Sequence, residues 1–410
     1  MPRDVTLVLT DGADVIGALP PFQVPTPWWA DVAVLVEAAE QLTGRRVSIL
    51  RLLNASTSSS TMGGPVTYLA EIDRPPKLRL SAWTGPDPLV PHRNRVWWAE
   101  PGALAEAVTW ATAVLAETGV EVLDARQERT WNLSMLMQLE TTEGLVWLKA
   151  VPTFLADEGF VLARLGTLDA AAGMLPTVLA HDPSRSLVLL ADIPGFDLWD
   201  ASTADVVALG ERLVELQRDG HAHGLPERVA GRVADRSVAA LGAGLSGLLD
   251  GGLPEGPIEP PLRARVERLR DNLPARLAAL GALPDVVVHG DPHPGNWRAG
   301  PGGARVLLDW GDTAVASPLA DVGTLLARVP PAETTAVSHS MAAFIAAAFG
   351  VDDLSAAMAE LPLLKEVTGT VVYAWFCRNI EPDERVYHRD DVTACLRRAL
   401  AAIERTAGEL

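Results

Sequence analysis

The sequence predicts an α+β chain in three parts: an N-terminal α+β domain, a small β-rich lobe and a larger helical lobe. Three observations carry this reading. At 410 residues the chain exceeds what one compact core accommodates. Strand-like alternation concentrates before residue 200, whereas apolar spacing after Ser202 is mainly helical. With 48% hydrophobic and 21% charged residues, the composition is that of an ordinary globular protein able to bury large cores. The expected boundaries are 1–118, 119–197 and 198–410.

In the first part, VTLVLTDGADVIGALP reads as a hairpin turned at Asp11 and Gly12. WWADVAVLVEAAEQL places Val32, Leu35, Val36, Ala39 and Leu42 at helical spacing. RVSILRLL is a strand pattern running into a polar stretch, 54–64, read as a loop. VTYLAEID and KLRLSAW read as further strands, and a helix over 102–119 closes the region. The strand, helix, strand order bears a faint likeness to a Nudix domain. However, EAAEQLTG (37–44) puts Ala38, Gln41 and Leu42 where metal-binding carboxylates belong, so a degenerate cap or packing partner is expected.

The second part reads as strand, loop, strand, a hairpin at Glu143 and Gly144, and strand. A helix over FLADEGFVLARLGTL follows, and then SLVLLADIPGFDL, a strand broken at Pro194 and Gly195. Everything after Ser202 is expected to be helical apart from strands near Val286 and Val306.

Charge and cysteine content narrow the function. A formal net charge of −18 argues against nucleic-acid or anionic-membrane partners and is compatible with a cationic small substrate. No apolar stretch is long enough to span a bilayer, and MPRDVTLVLTDG lacks a signal-peptide core. Two cysteines, Cys377 and Cys395, fit a reducing compartment, with the cytoplasm expected.

The chemistry concentrates in VVVHGDPHPGNW (286–297) and VLLDW (306–310). Three β-branched residues deliver the chain into a polar turn carrying Asp291, Asn296 follows five residues later, and a second strand ends on Asp309. Kinase catalytic loops have this grammar: an aspartate for the acceptor hydroxyl, then an asparagine and a further aspartate for Mg²⁺. Hard oxygen ligands suit a nucleotide-bound metal while one carboxylate stays with the nucleophile. Each residue alone is an ordinary turn or strand-end residue; their joint spacing decides for the site. Upstream, Lys149 ends an alternating strand, fitting a lysine that reaches the α- and β-phosphates.

HGDPHPGN, LLDWGDTAVASPLADVG, and LVWLKAVP followed by DEG (157–159) together resemble the aminoglycoside phosphotransferase and choline-kinase family, over roughly residues 120–400. The resemblance implies a bilobal protein-kinase-like fold, Mg²⁺-ATP as donor and a small-molecule hydroxyl as acceptor. It makes Asp291 catalytic, Asn296 and Asp309 the metal ligands, and Glu158 the partner of Lys149, with Asp157 as rival. It has His289 hold the loop by hydrogen bonds. Asp321 is expected to start a helix and brace the loop rather than touch substrate. One departure matters: QERTWNLS (127–134) has no glycine, so Thr130, Ser134 or the Asn132 amide is expected to meet the phosphates. Adenine is expected at backbone near 190–193, at Ala191 and Ile193. Amino sugars, aminoglycoside-like compounds and sugars are the leading acceptors. The alternatives are a non-catalytic pseudokinase-like binding or scaffold protein, and a protein kinase. Against the latter, the HGD loop lacks arginine and no DFG-to-APE segment follows.

Overall fold

The structure, a computed structural model, describes residues 2–55 and 62–407. It divides into two compact units: Met1–Thr153 with Val178–Asp192 and Phe376–Asp390, and Phe154–Thr177 with Ile193–Trp375 and Asp391–Leu410. The boundary expected at residue 118 falls inside the first unit.

In the first unit, β1 (Arg3–Thr10) turns at Asp11 and Gly12 into β2 (Val15–Ala18), as an antiparallel pair. β1 also pairs antiparallel with β3 (Phe22–Val24). After α1 (Ala33–Thr43) come β4 (Val47–Ala55) and β5 (Gly64–Ile72), which pair antiparallel, while β5 runs parallel to β1. A strand inside a sheet covered on both faces carries a continuous apolar run, and Leu7, Val8 and Leu9 are all fully buried. α1 stops at Gly44, whose left-handed backbone returns its N–H to the Glu40 carbonyl. The polar stretch read as a loop lies largely outside the described residues; Asn54 and Ala55 complete β4 and Gly64 opens β5. KLRLSAW (77–83) is not a strand. Only Ser81 makes a ladder contact, a reciprocal backbone pair with Ala18, because prolines at 75, 76 and 86 crowd the segment.

α2 (Ala103–Ala116) leads into a second, antiparallel sheet. It consists of β6 (Val122–Thr130), β7 (Met135–Thr141), β8 (Gly144–Ala150), β9 (Val178–Asp182) and β10 (Leu187–Ala191), ordered β6-β7-β8-β10-β9. VLAHD, which forms β9, was too short and polar to read as a strand. One core joins both sheets: Val8, Leu50 and Leu69 of the first pack with Leu104, Ala107, Ala111 and Leu115 of α2, and with Met135, Leu139, Leu148 and Leu189 of the second. Gln127 stitches them further, its amide exchanging both hydrogen bonds with the backbone of Ile49.

The second unit is mainly helical. It contains α3 (Glu158–Leu165), β11 (Phe196–Asp197), α4 (Thr203–Ala222), α5 (Leu225–Val229), β12 (Ala234–Asp235), α6 (Val238–Gly251) and α7 (Pro260–Arg276). There follow β13 (Val286–Val288), β14 (Trp297–Ala299), β15 (Arg305–Leu307), β16 (Ala314–Ala316), α8 (Leu319–Leu326), α9 (Pro331–Phe349) and α10 (Ser355–Ala359). α11 (Leu361–Asn379) and α12 (Arg389–Ala407) follow, with 376–379 and 389–390 belonging to the first unit. Two three-stranded sheets, β11-β14-β15 and β12-β16-β13, carry the catalytic motifs between them. Among the described residues no helix is long and apolar enough to cross a membrane.

Candidate active site

β13, VVV, is fully enclosed and hydrogen-bonded antiparallel to β16, so the chain enters HGDPHPGN from a rigid strand. Gly290 has φ 94°, and a Cβ there would collide with the Asp312 carbonyl oxygen, so only glycine fits this bend. Asp321, near the start of α8, holds the bend from behind. Its two oxygens accept the N–H groups of His289 (2.8 Å) and Gly290 (2.9 Å), and the Gln217 amide donates from α4 at 2.8 Å. Burial drives the Asp321 carboxyl up to about 6, against the pull of those three donors. Three donors to one enclosed carboxylate make Asp321 a brace.

His289 works the same way. Its Nδ1 accepts the Asp291 N–H (3.2 Å), which leaves Nε2 to donate to the Leu308 carbonyl at 2.9 Å. Its ring meets Trp310 edge-on at 4.6 Å. One imidazole thereby ties the catalytic loop to the backbone beside Asp309, a hydrogen-bonding role and not metal ligation.

Asp291 is held at its backbone while 49% of its side chain stays accessible. Its carboxyl is pushed up to about 7, first by the surrounding protein mass, then by the Asp312 and Asp309 carboxylates; the Arg328 charge opposes. His293 Nδ1 accepts the Gly295 N–H (3.0 Å) and its Nε2 lies 3.7 Å from Asp291 Oδ2. Burial first, and then Arg328, hold this imidazole below its ordinary value, against the pull of Asp309. Trp199 stacks on the His293 ring at 4.8 Å and lies so close over Gly295 that no Cβ fits there.

Asn296 Nδ2 donates to the Asp291 carbonyl at 2.9 Å, which fixes the amide plane and orients Oδ1 away from that carbonyl. Asp309 sits at the end of β15 in a left-handed conformation, φ 67° and ψ 61°, that non-glycine residues rarely adopt. The next N–H, of Trp310, donates to Glu158 Oε1 at 3.2 Å, and the Ala156 N–H donates to the Gly311 carbonyl at 2.9 Å. Glu158 is thus a buried residue in the first turn of α3 that anchors the Asp309 turn. Its neighbour Asp157 is the N-cap, accepting the Phe160 N–H at 3.3 Å, which separates the two acidic residues expected to compete. Asp312 lies 3.4 Å from Arg236.

The second unit therefore brings Asp291, Asn296, Asp309 and Glu158 into one hydrogen-bonded assembly. Lys149, Thr130, Ser134 and Ala191 belong to the first unit, and the chain passes between units at Asp192 and Ile193. Lys149 is 8% exposed in β8, opposite Leu136 of β7 and Val188 of β10. The glycine-free turn is occupied internally: Thr130 accepts from Gln127, Ser134 accepts from the Trp131 indole, and fully buried Asn132 donates to the Glu384 carbonyl and accepts from His388. At the junction the Trp147 indole donates to Asp192 (2.7 Å), and the Arg298 guanidinium donates to the Ile193 carbonyl.

Sequence reasoning missed Gln217, Trp199, Arg236 and Arg328, because none has a fixed sequence spacing to the loop. The donor set around Asp309 fits a hard cation: an amide oxygen and a carboxylate, with concentrated negative charge nearby. Among the described residues no three His, Cys, Asp or Glu side chains gather as a metal cage.

The α+β, kinase-like fold and the family match together make the chain a small-molecule kinase. The model of the phosphotransferase enzyme family APH matches residues 149–361, more than half of the chain, and the chain belongs to that family. ATP is accordingly its phosphoryl donor. No curated protein matches it. Among solved structures, a Ralstonia eutropha protein described as an aminoglycoside phosphotransferase is 14% identical with a TM-score of 0.50, over 73% of this chain and 97% of that one. A macrolide 2'-phosphotransferase from Brachybacterium faecium is 21% identical with a TM-score of 0.49, over 70% of this chain and 97% of that one. Choline kinase LicA from Streptococcus pneumoniae is 15% identical with a TM-score of 0.49, over 72% and 99%.

Proposed function

We propose that the chain transfers the γ-phosphoryl group of Mg²⁺-ATP to a hydroxyl of an amino sugar, aminoglycoside-like compound or sugar. The observation that carries this reading is the accessible Asp291 carboxylate, braced at its backbone by His289 and tied through its carbonyl to the Asn296 amide five residues on. An accessible carboxylate held in place by its backbone is suited to take a hydroxyl proton as the oxygen attacks phosphorus. Asn296 Oδ1 and Asp309 would hold Mg²⁺, with remaining ligands from phosphates and water. When bound, the metal neutralises charge on the β- and γ-phosphates. Lys149 would steady the α- and β-phosphates, with Glu158 as its partner. Adenine would meet backbone around Ala191 and Ile193. Contacts from Thr130 or Ser134 to phosphate would require those hydroxyls to leave or share their present partners, so Lys149 bears more of that role. Since Asp291, Asn296 and Asp309 are all retained, the pseudokinase reading rests mainly on the glycine-free turn.

The test is a phosphate-transfer screen over amino sugars, aminoglycosides, neutral sugars and amino alcohols, with Asp291→Asn as the blank. Transfer to at least one acceptor, abolished in the variant, supports the reading. Wild-type transfer that the variant retains would overturn the role of Asp291.

A further inference from the structure

We propose that Trp199 and Arg328 form an acceptor-binding surface beside Asp291, and that the acceptor they select is a sugar bearing a carboxylate or phosphate. This names the acceptor for the transfer proposed above and rests on Asp291 as the group that meets its hydroxyl. All the residues concerned belong to the second unit. Trp199 is carried on fixed backbone: the N–H of buried Leu198 donates to the Trp297 carbonyl of β14 at 3.0 Å, and the Ala201 N–H donates to the Leu198 carbonyl at 2.9 Å. The indole lies against Gly295 and stacks on His293, with centroids 4.8 Å and planes 26° apart. It is nonetheless 56% exposed. The Arg328 guanidinium lies over the same indole, 5.6 Å from the ring centroid. Arg328 follows α8 about two helical turns beyond Asp321, so the helix that braces the catalytic loop also sets a cation beside it.

A lone exposed tryptophan is ordinary. What sets this one apart is the set of unused donors around it. Among the described residues, neither the Trp199 indole N–H nor the Arg328 guanidinium has a hydrogen-bond or ion-pair partner. His293 Nδ1 accepts the Gly295 N–H, which leaves the ring hydrogen on Nε2, and Nε2 stands 3.7 Å from Asp291 Oδ2, too far for a hydrogen bond. Three donors therefore surround the carboxylate that takes the hydroxyl proton, and the guanidinium is near enough for its charge to act on both Asp291 and His293. Each donor calls for an oxygen. Sugar hydroxyls and ring oxygens serve the indole and imidazole N–H groups, and a sugar's C–H face suits the open part of the indole. The guanidinium fork matches a carboxylate or phosphate, two parallel bonds at a time. An ammonium group offers these donors no acceptor and meets a like charge. The net charge of −18 does not decide the matter, because exposed charges are screened within about 8–10 Å. The acids close at hand are otherwise engaged: Asp197 Oδ1 accepts the Trp199 N–H at 3.4 Å, Asp312 faces Arg236 at 3.4 Å, and Asp309 is assigned to Mg²⁺.

Fluorine NMR of the full chain labelled with 5-fluorotryptophan tests it, with the Trp199 signal assigned from Trp199→Phe and with glucose, glucuronate, glucose 6-phosphate and glucosamine as probes. Glucuronate or glucose 6-phosphate should shift the Trp199 signal with a Kd at least about tenfold below that of glucose, and glucosamine should bind most weakly. Arg328→Gln should erase that advantage, bringing the acid sugars to within about twofold of glucose. Arg328→Lys, which keeps the charge but not the fork, should retain part of it. Acid sugars that bind no better than glucosamine, an advantage that survives in Arg328→Gln, or a Trp199 signal that none of the probes moves would each overturn the proposal. The readout needs no turnover. Binding at Trp199 without phosphate transfer to any probe therefore counts against the transfer reading and leaves the acceptor surface standing.

Discussion

At the scale of single residues, the site separates groups that face solvent from groups that hold them. Asp291 is accessible, whereas Asp321 and His289 are enclosed and spend their polar atoms on the loop. Asp291→Asn should lower transfer by about 10²–10⁴ with nucleotide affinity nearly unchanged, measured by kinetics alongside titration calorimetry. Asp321→Ala should act differently. It strands two buried N–H groups and the Gln217 amide, costing about 3 kcal/mol or more in denaturant melts and lowering activity only through lost structure. The sequence singled out Asp291, Asn296 and Asp309 because the proposed chemistry depends on short spacings along the chain. Gln217 was invisible: its role exists only because α4 passes beside α8, 104 residues later.

At the scale of elements, caps and close approaches position the site. Asp157 caps α3, which is why the helix begins at Glu158 rather than at Phe154 and why Glu158 reaches the Trp310 N–H. Ser202 and Asp205 form a reciprocal capping box on α4. Ser202→Ala should cost about 1 kcal/mol in chemical denaturation, with activity intact. Gly295→Ala should be worse for function than for stability, since its methyl would displace the Trp199 ring from the catalytic loop. A fall of tenfold or more in transfer with a small change in melting is the expected result. KLRLSAW shows where sequence patterning misleads. Alternation alone suggested a strand, yet flanking prolines leave it only the Ser81 pair. The hairpins of β6, β7 and β8 were legible because alternation and turn chemistry agreed there.

At the scale of the whole molecule, the two N-terminal sheets share one core, and residues 376–390 belong to the same compact unit. Nothing local in PDERVYH announces that Tyr387 belongs with Trp29, more than 350 residues earlier. That recruitment gives stability a pH signature. His388 is enclosed and held down to about 3 by burial, so the unfolded chain binds its proton first: stability is full above about 6.5 and falls as pH drops toward 3. Glu384 is raised to about 8, chiefly by burial, with Arg51 opposing; its contribution is full below its ordinary value near 4.5 and is lost as pH rises through 8. His388→Gln should flatten the acid limb, worth about 2 kcal/mol at pH 5, and Glu384→Gln the alkaline limb, both read from melting curves across pH. The central claim, that Asn296 and Asp309 present a metal-nucleotide site, is tested most directly by calorimetric titration of ATP with and without Mg²⁺. Wild type and Asp291→Asn should bind ATP in a Mg²⁺-dependent manner, and Asp309→Asn should lose that dependence. Binding indifferent to Mg²⁺ in the wild type, or undiminished in Asp309→Asn, would contradict the account.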